Sequence, residues 1–286
     1  MSHFTVMVIG ENPEEQLAPY QENNMGDCPE EYLAFNDVTD DVTREWEDQD
    51  QETKEKYKDL DTYATEYNGY KKNDEGRYGY WENPNAKWDW YQLGGRWSGF
   101  FKMKPGSEGV VGSAGLFSAP AEAGYADSAL KKEIDFASMM EEASKKAGEK
   151  WDLIKKLTEG LEPAKSWEHV RDEMFPGQID KARTYYHDQP AMKAVSNWSS
   201  ENGHSIFGLD LEDFDCTREE YCLDAARGSF VPYAVIKDGK WHQKGEMGWF
   251  GISNNEVSES KWTAQVAQMI DELPEDTMLS IYDCHI

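Results

Sequence analysis

The chain opens on a run of apolar and β-branched residues, His3 to Ile9, stopped by Gly10-Glu11-Asn12-Pro13, and this predicts a strand. Glu14 to Tyr20 adds a short helical turn before Pro19 interferes. Within the segment from Asp37 to Glu66, Tyr57, Leu60 and Tyr63 recur at three-residue steps and Tyr67 follows at four. That spacing predicts one helix with an aromatic core stripe and its acids on the solvated side. Trp88 and Trp90 alternate as in a strand, and Gly94-Gly95 suits a sharp turn or a close backbone approach. From Met103 to Ser128 Gly, Ala, Ser and Pro displace charged residues, and a long loop is expected.

The period then becomes helical. Asp135 is placed to cap a helix whose stripe is Phe136, Met139, Met140, Ala143, Ala147, Trp151 and Ile154. Ser166 starts a shorter helix that Pro176 ends, and another runs from Gln178 towards Pro190. Thr217 and Glu220 form a capping box for a helix closed by Gly228. Tyr233 to Lys237, the Asp238-Gly239 turn and Lys240 to Lys244 read as a hairpin. Trp262, Val266, Met269 and Leu273 mark a helix stopped by Pro274, and Met278 to Ile286 a final strand. The expected fold is α+β, a mainly antiparallel sheet with packed helices and a helical insertion. The core is assigned to 1–104 and 205–286, the Gly/Ala/Pro-rich loop to 105–126 and the insertion to 127–198.

Charge narrows the function classes. The 286 residues carry 56 acidic and 29 basic side chains, a formal charge of −27. Affinity for a nucleic-acid backbone comes from Lys and Arg displacing counterions, so direct nucleic-acid binding is excluded, and an anionic membrane surface is disfavoured alike. A basic protein partner or a small ligand is compatible, and so is a charge that serves solubility alone. The 13% aromatic content separates the chain from disordered acidic proteins. Cys28, Cys216, Cys222 and Cys284 form no CxxC pair and no zinc pattern with the histidines, so free thiols in a reducing compartment are expected and no metal or cofactor is called for. With neither a signal peptide nor a membrane span, a cytoplasmic location is expected.

GxxxxGK[ST], GxGxxG after a strand, HExxH and GxSxG are all missing. Three candidates remain. If the first and last strands pair antiparallel, His3 falls beside His285 with Asp283 at the same edge, a set suited to general acid–base work or merely two imidazoles near chain ends. Arg96, after two glycines and among Trp90 and Trp97, is placed to grip a carboxylate or phosphate while the rings stack on a base or sugar, or to stack on those rings itself. Glu246, between Gly245 and Gly248, is an exposed carboxylate after a hairpin, with catalysis or plain loop chemistry as its two readings. His242 receives no role. The acids from Asp37 to Glu66 could also imitate the phosphate rows of duplex DNA and occupy the groove of a basic nucleic-acid-binding protein, or simply form a solvated face.

Five segments, Ser2-His3-Phe4-Thr5-Val6-Met7-Val8-Ile9-Gly10, Glu14-Glu15-Gln16-Leu17-Ala18-Pro19-Tyr20, Trp88 to Trp97, Gly245-Glu246-Met247-Gly248-Trp249 and Asp283-Cys284-His285-Ile286, give the chain a resemblance over nearly its whole length. It resembles a family of uncharacterised proteins encoded by bacteriophages and by bacterial genomes, prophages included. The resemblance implies an accessory protein in the cytoplasm of an infected bacterium and carries no activity. Two functional expectations follow: a host factor or small metabolite is bound, with host defence as one target, or a nucleotide-like ligand is held or turned over by His3, Arg96, Glu246 and His285. A virion or assembly role is a third.

Overall fold

The computed structural model describes residues 2–116, 118–203, 209–248 and 252–286. The fold is α+β, with mostly antiparallel strand pairs. The chain divides into two compact units, one of 1–133, 232–258 and 273–286 and one of 134–231 and 259–272.

The first unit is built on a seven-stranded sheet. His3–Ile9 lies at its centre, parallel to Ala234–Lys237 on one side and antiparallel to Met278–His285 on the other. Lys240–Gln243 extends the sheet as a hairpin through Asp238 and Gly239, both at positive φ, the geometry of a tight two-residue turn. Beyond Met278–His285 come Trp90–Gly95 and then Ser113–Ala114. Phe4, Val6, Val8, Ala234, Ile236, Tyr282 and Cys284 point to one face and form a core with Leu17 and Trp88. The alternate residues Met7, Ile9, Val235, Leu279 and Ile281 are buried as well, which is why these strands read as continuous apolar runs.

The segment 105–126 is not a free loop. Ser113–Ala114 joins the main sheet and Tyr125–Ala126 pairs with Phe101–Lys102. The reason is Asp127, which is fully buried. Its Oδ1 accepts the N–H groups of Gly99 and Phe100 at 2.6 and 3.3 Å, and its Oδ2 the N–H of Gly112 at 2.8 Å. One carboxylate thereby ties together two stretches that have few side chains of their own to pack. Ser128–Leu130 follows as a strand against Met278–Ser280, so the first residues of 127–198 are sheet and not helix.

The stripe at Tyr57, Leu60, Tyr63 and Tyr67 does not lie on one helix. Gln51–Tyr57 stops at Lys58, whose φ is +66°, and Leu60–Thr62 then runs into a π-helical turn at Tyr63–Tyr67. Asp50 and Asp59 cap the two starts by accepting the N–H groups of Thr53 and Thr62. Tyr63 and Ala64 are buried with Val42 and Tyr78, while Tyr67 is exposed. The rigid carboxylate row expected between Asp37 and Glu66 is therefore three short pieces, Thr39–Glu47, Gln51–Tyr57 and Leu60–Thr62 with its π-helical turn. Several of its acids are occupied locally; Asp37 is held down to about 2, chiefly by the Thr39 N–H, with Arg77 adding.

The second unit is helical. Phe136–Leu157 begins at the expected Asp135 cap and runs against Arg218–Gly228, which opens with the Thr217–Glu220 capping box. Where Gly148 lacks a side chain the Arg218 guanidinium fits, and it grips Asp152 through two nitrogens at 2.9 and 3.0 Å. A π-helical turn at His169–Met174, Ile179–Asp188 and Pro190–Asn202 share a core of Val170, Ala182, Tyr186 and Met192. Two helices expected in the core segment, Arg218–Gly228 and Glu259–Asp271, group with these helices. The expected boundary at 205 lies outside the described residues.

Asp127→Asn replaces one accepting oxygen with a donor that faces N–H groups. The expected loss is about 2–4 kcal/mol, since charge-assisted hydrogen bonds to a buried group are removed. Urea unfolding checks this, and a midpoint equal to that of the parent chain would show that Asp127 does not organise the segment.

Candidate functional site

In the central strand pair His3 stands opposite His285, Phe4 opposite Cys284 and Thr5 opposite Asp283. Side chains alternate between faces, so His3, Thr5, Asp283 and His285 share one face. Trp90, opposite His285 on the next strand, joins them. The two imidazole rings meet edge to face with centroids 4.9 Å apart, and Trp90 lies 6.3 Å from His3 in the same style.

Each histidine has its own carboxylate. His3 Nδ1 is 2.8 Å from Asp283 Oδ1, and His285 Nδ1 is 2.6 Å from Asp89 Oδ1. Asp283 is 1% exposed, whereas the two histidine side chains retain 17% and 14%. With Nδ1–H donated to a carboxylate, each neutral ring keeps Nε2 as an acceptor, and each protonated ring can donate from it. Two adjacent imidazoles held this way can act as base and acid together.

The supporting groups come from main chain and from a nearby loop. Asp283 Oδ2 accepts the N–H of Arg96 at 2.9 Å. Asp89 is positioned by its own N–H, which donates to the His285 carbonyl at 2.9 Å. Asn24 Nδ2 reaches Asp89 Oδ2 at 3.3 Å and Glu22 Oε2 at 3.4 Å. Partial burial, and then the Asp89 anion, push the Glu22 carboxyl above its ordinary value, while His285 pulls it back. Cys284 lies between Asp283 and His285 in sequence but faces the other way, into the core. Burial pushes its thiol well up, so it is no thiolate nucleophile.

The glycine pair before Arg96 explains the close approach. Gly94 and Gly95 both have positive φ, at +76° and +55°. A Cβ on Gly94 would overlap the Asp127 carboxylate, and one on Gly95 would overlap Asp283. Both readings of the pair hold, since Trp97 N–H then closes a turn onto the Gly94 carbonyl at 3.0 Å. The Arg96 side chain is exposed, and among the described residues its guanidinium has no ion pair and does not stack on Trp90 or Trp97.

Glu246 is not part of this constellation. It sits in Glu246–Met247, paired with Ser253–Asn254, and accepts from Asn255 Nδ2 at 2.9 Å. It lines a small cavity together with Phe4, and Phe4 points to the face opposite His3. Trp249, at the end of that glycine-flanked motif, lies outside the described residues. Of the residues singled out in the sequence, His3, His285, Asp283 and Trp90 come together, with Arg96 attached through its backbone. Asp89, Asn24 and Glu22 were not singled out; the pairing of Trp90 with His285 places Asp89 there, a fact of register with no local signature. Among the described residues no group of three or more His, Cys, Asp or Glu is arranged to hold a metal ion, and no helix is long and apolar enough to cross a membrane.

A raised folded-state pKa means that Glu22 contributes its full stability below the ordinary carboxyl range and loses it as pH rises through the raised value. Glu22→Gln removes that loss. The melting temperature of Glu22→Gln relative to the parent chain should therefore rise between about pH 4 and about pH 7. A difference that stays flat or falls with pH would refute the assignment of Glu22 to this network.

Compared with protein-family models, with curated proteins and with solved structures, the chain matches none.

Proposed function

We propose that the paired chain ends form a general acid–base site for a small, anionic, nucleotide-like ligand, in an accessory protein of the bacteriophage or prophage type. The observation that carries this reading is the pair of facing histidines, each oriented at Nδ1 by its own aspartate. One neutral imidazole would take a proton from an attacking water or hydroxyl through Nε2, and the protonated neighbour would deliver one to the leaving oxygen. Asp283 and Asp89 hold the tautomers and stabilise whichever ring is charged. The exposed guanidinium of Arg96, anchored beside Asp283 through its backbone, supports an anionic group in the ligand, and the half-exposed Trp90 offers a face for a base. A charge of −27 argues for a small ligand over a polynucleotide.

A panel of nucleoside mono- and diphosphates and cyclic nucleotides tests the reading, with binding followed by melting temperature and turnover by phosphorus NMR. His3→Gln and His285→Gln should each lower turnover by about 100-fold or more, with binding retained. Arg96→Ala should weaken binding by about 10- to 100-fold, the worth of one charge-assisted hydrogen bond. No stabilisation by any member of the panel, or full turnover in the double histidine variant, would end the proposal.

Capture of a basic host partner by the acidic segment is the second reading, supported by the exposed Glu45, Glu47 and Asp48. It predicts pull-down from host extract that fades steeply with salt, because exposed charges are screened beyond about 8–10 Å at ordinary ionic strength. Salt-insensitive capture would rule it out.

A further inference from the structure

The opposite face of the same sheet carries a second arrangement. A cavity of about 80 Å³ is lined by Phe4, Tyr233, Trp241, Met247, Glu246 and Lys87, among others. Phe4, itself buried, is one of its walls and meets Tyr233 edge to face at 5.6 Å and 64° and Trp241 at 6.3 Å and 75°. Two aromatic walls thus rise steeply from a third.

The polar tips of both walls are already engaged. The Tyr233 hydroxyl is hydrogen-bonded to the Ser253 hydroxyl, and Trp241 Nε1 donates to Gln243 Oε1 at 2.7 Å. Tyr20 braces Trp241, with ring centroids 5.0 Å apart and its hydroxyl accepting the Trp241 backbone N–H at 2.9 Å. The rings therefore keep their orientation without a ligand and offer π-surface, not hydrogen bonds, to the cavity. Glu246 adds a carboxylate; it is exposed, and Asn255 holds one of its oxygens. Aromatic faces are the negative side of the ring quadrupole, so a cavity walled by aromatic rings beside a carboxylate favours a cation that is too bulky and too poorly hydrated to prefer water.

We propose that this pocket binds a small organic cation, an alkylated ammonium group, between Tyr233 and Trp241 over Phe4, with Glu246 as its counter-charge. A bare metal ion does not suit it, since the walls supply carbon and not oxygen ligands. Lys87 also lines the cavity and opposes a bound cation, which sets the sign of one test. The inference is independent of the histidine site, because adjacent strand residues face opposite ways.

The experiment titrates the intact chain with choline and, separately, with 3,3-dimethylbutan-1-ol, the neutral molecule in which carbon replaces the quaternary nitrogen. The Trp241 indole N–H signal in ¹H–¹⁵N NMR, assigned by loss in Trp241→Phe, reports occupancy. Choline should shift it saturably, and the neutral analogue should bind about 10-fold more weakly or worse. Glu246→Gln, an exposed position that leaves folding intact, should weaken choline by about 10-fold. Lys87→Gln should tighten it, and His3→Gln should leave it unchanged. Equal binding of the neutral analogue, an unshifted Trp241 signal, or weaker binding after Lys87→Gln would each overturn the proposal.

Discussion

The antiparallel pairing of the first strand with the last is the interaction on which the sheet unit rests. It runs from His3 against His285 to Ile9 against Leu279, and at the very ends the Ser2 and Ile286 backbones exchange hydrogen bonds at 3.1 and 3.0 Å. These are the two innermost strands of the sheet, flanked by Ala234–Lys237 and by Trp90–Gly95. That placement holds two histidines at the tips of the pair in fixed apposition. It also forces Asp283 into the sheet interior, where an ionised carboxylate is costly unless it is bonded. The His3 imidazole and the Arg96 N–H meet that demand.

The second buried carboxylate, Asp127, makes a parallel demand, and the two are joined through Gly94-Gly95. Each glycine lies against one aspartate, at a spacing that excludes a side chain. Both residues are in the left-handed region, which turns the backbone so that Arg96 N–H aims at Asp283 while Gly99 and Gly112 N–H aim at Asp127. Loops with so little apolar content hold one conformation only when their main-chain donors are satisfied from within. Positioning the histidines and folding the glycine-rich segment are thus two consequences of one local geometry.

What the sequence revealed and what it hid follow from which interactions leave a local pattern. His3–Ile9, Met278–His285, the Asp238-Gly239 turn, the Asp135 cap and the Thr217–Glu220 box are written in neighbouring residues, and all are found as read. The histidine pair was legible because it needs only the register of two clear strands. The helix drawn through Tyr57 to Tyr67 failed because spacing of aromatic residues says nothing of Lys58 at positive φ or of Asp50 and Asp59 capping separate starts. Ser113–Ala114, Tyr125–Ala126 and Ser128–Leu130 escaped notice because they are only two or three residues long and lack an apolar alternation, and the N–H groups that Asp127 gathers belong to Gly99, Phe100 and Gly112, at no fixed local spacing from it. Asp89 escaped for a similar reason. Glu246 was grouped with the histidines, whereas it lines the cavity on the side of Phe4, a placement that no local spacing encodes.

The strand period of two is what allows one sheet to carry two unlike chemistries. His3 and Phe4 are adjacent, yet one joins a buried carboxylate and a second imidazole and the other an aromatic pocket. Slipping the central pair by a single residue would exchange the faces, sending Asp283 towards Leu17 and Trp88 and Cys284 towards the histidines. Burial alone resists that slip weakly here, because both faces of these strands are apolar over most of their length. The polar residues supply what burial lacks. Asp283 finds its two donors, the His3 imidazole and the Arg96 N–H, in one register only. An unpaired buried carboxylate would cost several kcal/mol, more than the difference between one apolar contact set and another. The groups that form the candidate site are therefore also those that fix the register on which the site depends.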